Sequence, residues 1–361
     1  MKVGIIGGTG NISTSIVQLL LEKGHEVVCF NRGQSRQPLA GARIVVVDRH
    51  NTTEFERKVR LEKLDAGIDM VCFNAEEARS SVSAFQGAGH FIQCSTVCTY
   101  GIDPDWLPVT EDHPLRPLTD YGRGKVAADH VFLEAYHRDG FPATILKPST
   151  TYGPIMGCVR QVAWDFTWID RVRKGLPITV CGDGTAIHQF LHVDDAARAF
   201  AGVLGKSHCI GQTYNVVRRG FHSWKDYHQR AMKVLGREVD LIGIPLQTLI
   251  EREVPEVGIC KEIFAHNSFF SSERLCRDVP EFQPAVSLEE GLKSTIEALD
   301  RDGRIPPAES VAWEDAAIQA QRKAGHRTVE PSLGSGHPWI SGFSSTPAPA
   351  AVPEGVCAEN R

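Results

Sequence analysis

Across its 361 residues the sequence has no excess of basic side chains, no C-x-x-C pair, no internal repeat and no apolar run long enough to cross a membrane. Each absence removes a class of function. With 39 Lys and Arg against 44 Asp and Glu the net charge is −5, so nothing advertises a nucleic-acid footprint or attraction to an anionic membrane surface. Small molecules are the expected partners. The ten Cys are scattered, several in apolar runs such as VVCFN, MVCFN and ITVCGDG, which suits reduced thiols in strands and argues against disulfides or a metal site. The stretch VGIIGG begins at Val3 and leaves no room for a signal peptide, so a soluble, cytoplasmic protein is expected.

What is present is a rhythm. With 42% hydrophobic residues the chain can bury a large core. Short apolar runs bounded by turn residues, KVGIIGG, HEVVCFN, ARIVVVD, DMVCFNA, HFIQCST and ATILKPS, alternate with helical patterns such as TSIVQLLLEKG. Runs of that kind are strands covered on both faces, and the alternation implies parallel βαβ units. The predicted class is α/β: a doubly wound, Rossmann-type parallel sheet with a smaller, partly interleaved C-terminal substrate lobe. The dinucleotide-binding domain is placed at residues 1–152 plus about 192–217, and the substrate lobe at 153–191 and 218–302. Residues 303–361 form a C-terminal extension whose Gly, Ser, Pro and Ala content predicts little regular structure from about residue 327.

GIIGGTGNIS places Gly7, Gly8 and Gly10 between the first strand and the first helix. Glycines there allow a tight turn and let a pyrophosphate approach backbone N–H groups at the helix start, so Gly7, Thr9, Gly10, Asn11 and Ile12 are candidate cofactor contacts. Ser13 stands where a third glycine often sits, and is expected to loosen or shift the helix-to-strand packing. The second strand ends in CFNRG, with Asn31 and Arg32 where NAD-selective enzymes often carry a carboxylate. Arg32 can pair with a 2′-phosphate, which tilts the choice between NAD and NADP toward NADP, although a solvated loop arginine looks the same in sequence. Asp48, closing VVVD, suits either the adenine amino group or a helix cap.

Farther on lie CSTVCTYG, TEDHPLRPLTDYGRGK and ILKPSTTYGP, then GDGTAIHQFLHVDDAARAF. Taken in order with the glycine turn, these segments resemble the extended short-chain dehydrogenase/reductase family of nucleotide-sugar epimerases, dehydratases and related reductases, from residue 1 to about 300. Tyr121 and Lys125 stand four apart and share a helix face, so the ammonium can lie near the phenol and favour phenolate. The resemblance implies that Tyr121 exchanges the proton of the reacting hydroxyl and that Thr96 bonds the same oxygen. It gives Lys125 a second task, holding the nicotinamide ribose. Ser95 is the alternative to Thr96 if the register slips by one. It also implies that Phe73, Asn74 and Pro148 border the cofactor, and that the protein is a homodimer.

The departures from that pattern matter as much. Family dehydratases carry an acid just after the threonine; here stand Val97 and Cys98, the latter readable as a thiol acid or base or as a small packed residue. Thr150 and His188 occupy places where nucleotide-sugar enzymes commonly have Asn and Arg to hold the diphosphate. Arg160, Arg171, Arg173 and Lys174 are possible replacements, or solvated face residues. His188 and His192 are candidate substrate contacts that fit core or cap roles as well. The leading expectation is an epimerase acting by transient oxidation on a sugar or its nucleotide conjugate. Next comes an NADPH-dependent dehydrogenase or ketone reductase, and third a non-catalytic nucleotide sensor.

Overall fold

Seven parallel strands form the centre of the molecule. In this computed structural model, in which residues 1–34 and 39–325 are described, six of them are β1 (Lys2–Ile6), β2 (Glu26–Asn31), β3 (Arg43–Val46), β4 (Ala66–Asp69), β5 (His90–Cys94) and β6 (Ala143–Pro148). A seventh at Thr213–Val216 pairs with β6, which gives the sheet order β3-β2-β1-β4-β5-β6 and then the 213–216 strand. The chain thus winds outward from β1 in both directions, the doubly wound α/β arrangement whose ligand crevice lies beyond the carboxyl ends of the strands.

The apolar runs of the sequence become strands because both faces are covered. On one face Val3, Ile5 and Ile68 pack against Ile16, Val17 and Leu20 of α1 (Asn11–Glu22) and against Ala196, Phe200 and Val203 of the helix at Val193–Val203. On the other, Ile6, Val28 and Phe91 meet α2 (Thr52–Leu61), α3 (Ala75–Ala84) and α4 (Asp120–Asp139) through Phe55, Ala78, Ala128 and Phe132. Each of the valines, leucines, isoleucines and phenylalanines among them contributes about 1.5–3 kcal/mol of burial, so the framework under the crevice is firm.

A smaller lobe beside the sheet has its own core. Trp168, Trp224, Tyr227, Phe190 and Leu292 are fully or nearly fully buried there, next to a short parallel pair, Ile178–Cys181 with Leu241–Ile244. The described part of the C-terminal extension belongs to this lobe. Its last helix, Trp313–Lys323, buries Ala317 and Ile318 and inserts Glu314, fully buried, between two arginines. A Glu314 carboxylate oxygen accepts from Arg160 at 2.7 Å and the other lies 3.6 Å from Arg171. The expectation for residues from about 327 lies outside the described residues.

Candidate functional site

Two spaces meet at the carboxyl ends of the strands, a groove over the glycine turn and a cavity facing the smaller lobe, with a wall carrying Tyr121 between them. The groove, about 520 Å³, is lined by Gly7, Thr9 and Gly10 from the turn, by Asn31, Arg32 and Asp48 from the second and third strands, and by Phe73 and Glu77 beyond β4. Gly7 has φ +78°, and a Cβ on it would stand 2.7 Å from Val71, so the turn needs glycine there.

Ser13 corrects the expectation placed on it. Its hydroxyl donates to the Gly7 carbonyl at 2.6 Å and accepts from Gly10 N–H at 2.7 Å, so a small buried serine fastens the turn to the helix start instead of loosening it. Asn31 acts on the same turn, its side-chain oxygen accepting from Gly8 N–H at 3.0 Å. Asn11 does not line the groove: it accepts from Met156 N–H at 3.1 Å and lies 3.5 Å from the Thr151 hydroxyl, tying the turn to the other lobe, while Ile12 packs on the core. Asp48 is not the cap of α2, because Asn51 takes that place by accepting from Glu54 N–H. Asp48 is left exposed in the groove, with one oxygen on His50 N–H at 3.0 Å. Asn74 caps α3 by accepting from Glu77 N–H at 2.9 Å, and only its neighbour Phe73 reaches the groove. Pro148 is buried at the end of β6 and lines neither space, yielding that place to Ser149.

Beneath the groove Arg49 is nearly buried, its guanidinium bonded to Asp69 at 3.1 Å and to the Glu77 carbonyl at 3.0 Å. Asp69 takes a further bond from Ser81 at 2.7 Å.

The wall is built by α4 and the turn after β5. Thr119 caps α4 by accepting from Gly122 N–H at 2.9 Å, which sets Tyr121 in the first turn and Lys125 one turn on. Gly124 lets the helix approach, since a Cβ there would stand 2.2 Å from the Phe73 carbonyl. Lys125 is buried and donates to the Cys94 carbonyl at 2.7 Å; its ammonium lies 5.7 Å from the centre of the Tyr121 ring and 4.7 Å from that of Phe73. Tyr121 and Phe73 stand 6.2 Å apart, centre to centre, where groove and cavity meet. About half of the Tyr121 side chain is exposed, yet burial around the phenol pushes its titration well up, with Cys94 and Cys98 adding and a hydrogen bond with Thr96 opposing. The phenol is therefore protonated at neutral pH.

Thr96 is nearly buried and accepts from Cys98 N–H at 3.2 Å, capping the short turn at Val97–Tyr100. Ser95 is engaged elsewhere: it donates at 2.7 Å to Asp129, which is paired with Lys147 at 2.5 Å. Cys98 does line the cavity, but burial pushes its thiol up, away from the thiolate a base would need.

The cavity, about 250 Å³, has walls from Thr96, Tyr121, Thr150 and Trp164 and from the π turn at Cys260–Phe264. His188 lines it, 2.5 Å from the Thr150 hydroxyl and packed among Phe190, Trp224 and Phe264; burial pushes its pKa down to about 3, so the ring is neutral. His192 is a cap, accepting from Asp194 N–H at 3.3 Å, and lies outside the cavity lining. None of the four basic candidates reaches the cavity. Arg160 and Arg171 are buried on Glu314, Arg173 pairs with Asp300 at 2.7 Å, and Lys174 with Asp170 and Glu309 at 2.7 Å. Among the described residues no cluster of His, Cys, Asp or Glu is arranged to hold a metal, and no helix is long and apolar enough to cross a membrane.

Residues 75–216, which carry the Thr96, Tyr121 and Lys125 wall, match the model of the NAD dependent epimerase/dehydratase family. Residues 75–216 thus carry an NAD dependent epimerase/dehydratase domain, and the relatives of the chain include NAD-dependent epimerases, dehydratases and reductases of the extended short-chain dehydrogenase/reductase type. Over 314 residues the chain is 28% identical to a 2'-dehydrokanamycin reductase of Streptomyces kanamyceticus, covering 86% of this chain and 87% of the relative. It is 26% identical to the chloroplast stem-loop binding protein of 41 kDa b of Arabidopsis thaliana, over 81% and 77% respectively. A solved UDP-glucose-4-epimerase of Stenotrophomonas maltophila shares the fold, with a TM-score of 0.70 at 20% identity, covering 84% of this chain and 99% of that one.

Several lining residues of the cavity escaped the sequence reading, Ser149, Trp164 and Glu262 among them. Ser149 follows Pro148 and keeps a buried hydroxyl without a partner among the described residues, facing the cavity lining; its position in ILKPST was the available signal. Trp164 and Glu262 also line the cavity, 40% exposed in the first case, and no local motif marks either.

Proposed function

We propose that the protein is an NADP-dependent oxidoreductase acting on a ketone or hydroxyl of a carbohydrate-type substrate, and that it works as a net reductase. The observation that carries the choice is that no cation stands among the described residues lining the cavity. An epimerase must release the face of its ketone, turn it and receive hydride on the other face while the substrate stays tethered. A diphosphate held by arginines is a strong tether for that purpose, and Arg160, Arg171, Arg173 and Lys174 are all committed to carboxylates outside the cavity. The resemblance in length and coverage to a relative named as a reductase supports the same reading.

The groove fits a dinucleotide: a glycine turn where a side chain would clash, backbone N–H groups at a helix start, and an exposed acid, Asp48, for the adenine side. No carboxylate ends β2, and Arg32 is exposed in the groove with no partner among the described residues, which favours a 2′-phosphate and hence NADP. Bound NADPH supplies the hydride. Thr96 and Tyr121 hold the carbonyl oxygen between them, and Tyr121, protonated at neutral pH, gives that oxygen its phenol proton and is reprotonated from solvent. Lys125, anchored on the Cys94 carbonyl, holds its positive charge beside the phenolate that results. Ser149 lines the cavity with a hydroxyl that has no partner among the described residues.

NADPH consumption with a panel of keto-sugars and keto-glycosides tests this. Stoichiometric oxidation with cofactor exchange is expected, and Tyr121→Phe should lower the rate by about 10² to 10⁴ while leaving NADPH affinity unchanged. Retained, tightly bound cofactor with no net oxidation would return the assignment to an epimerase. Indifference to Tyr121→Phe would remove the enzyme reading.

A further inference from the structure

The charge of the cavity says more than whether it can hold a diphosphate. Among its described lining residues Glu262 is the only one with a formal charge at neutral pH, since burial keeps His188 neutral and the phenol of Tyr121 and thiol of Cys98 both stay protonated. The remainder is apolar or aromatic, including Ile102, Leu118, Met156 and Trp164, with a few hydroxyls and one amide. The amide, Gln189, is engaged with the protein: it donates to the carbonyls of Arg218, Gly220 and Phe270 at 2.7–3.2 Å and accepts from Phe270 N–H at 2.8 Å.

Glu262 is delivered by unusual backbone. Its π turn, Cys260–Phe264, brings Glu262, Ile263 and Phe264 to the cavity together, and the segment leading into it holds Glu253 and Glu256 at φ +51° and +60°. Turns of that kind, and non-glycine residues at positive φ, concentrate at ligand sites. Glu262 is exposed, and its carboxylate on the lining of an otherwise neutral, aromatic-lined space repels phosphate and attracts a cation, as does the exposed face of Trp164 on the same lining.

We propose that the substrate is a phosphate-free, polyhydroxylated ring compound bearing an amino group, and that Glu262 receives this group as its ammonium. The proposal rests on the reading that this cavity is the substrate site of Tyr121. It assigns Glu262 to substrate binding, apart from the residues that move the proton.

Calorimetric titration of the NADP-loaded protein tests it with three probes: neamine, whose several amines present one to Glu262 in many orientations, its fully N-acetylated derivative, and UDP-glucose. Saturable binding of neamine is expected, weakened at least tenfold by N-acetylation, with none for UDP-glucose. Glu262→Gln should erase the difference between the first two. UDP-glucose binding more tightly than neamine, no saturable binding of any probe, or an acetylation effect unchanged by Glu262→Gln would each overturn the proposal. Met156→Trp, which puts a ring into the cavity, separates the two levels of the argument. If it leaves neamine binding intact, the cavity is not the site and the underlying reading falls. If it abolishes binding while Glu262→Gln changes nothing, only the ammonium assignment is wrong.

Discussion

Arg32 stands exposed on the groove with no partner among the described residues, whereas Arg160, Arg171, Arg173 and Lys174 on the substrate lobe each have a carboxylate of their own. In sequence the five look alike. The difference teaches that a basic residue near a site is available to a ligand only if no carboxylate from another segment has already claimed it. Among the described residues the lobe has more cations than the groove and offers the cavity none.

The sharpest way to break this contrast is Glu314→Ala. It leaves Arg160 with Asp165 alone and Arg171 with Asp315, both guanidiniums still buried, and should cost about 3–5 kcal/mol in urea or guanidinium unfolding. A loss below 1 kcal/mol would mean that water reaches the two arginines and that they are less committed than their contacts indicate. On the groove side, Arg32→Asp should move preference from NADP toward NAD by about 10- to 100-fold, the worth of a charge-assisted bond to phosphate. An unchanged ratio of the two affinities would take Arg32 out of cofactor recognition.

A smaller effect comes from imidazole in the lobe core. His228 is fully buried, with neither ring nitrogen partnered among the described residues, and burial, aided by Arg160, pushes its pKa from 6.5 to about 3. The unfolded chain takes up this proton near pH 6.5 and the folded one does not until about 3. Stability is therefore full above 6.5 and falls as pH drops through that window, by about 1.4 kcal/mol per pH unit for one site. Unfolding midpoints between pH 7 and 5 should flatten in His228→Phe by that slope. The smallest change should be Arg173→Ala, where an exposed pair with Asp300 contributes about 0–1 kcal/mol to the same midpoints.

Much of the fold was legible because its signals are local. Strands covered on both faces read as apolar runs, the glycine turn lies within ten residues, and Tyr121 with Lys125 needs only the helical repeat. Their meeting with Thr96 was implied by the resemblance, and the geometry brings all three to one wall. What could not be read depends on distant partners. Arg160 and Glu314 are 154 positions apart, so the commitment of that arginine exists only once the lobe has folded. Ser13 looked like a defect in a glycine pattern, because its two bonds depend on where the Gly7 carbonyl and Gly10 N–H point. Glu262 faces the cavity through a π turn, a geometry with no repeat that a sequence pattern reveals.

The helix at Trp313–Lys323 has a consequence in time as well as in space. A chain growing from its N-terminus completes every strand of the parallel sheet by residue 216, some hundred positions before Glu314 is made. Until then Arg160 has Asp165 alone, and Arg171 lacks both Glu314 and Asp315. A nascent chain halted at residue 312 thus holds a finished sheet beside a lobe with two guanidiniums awaiting their counterions.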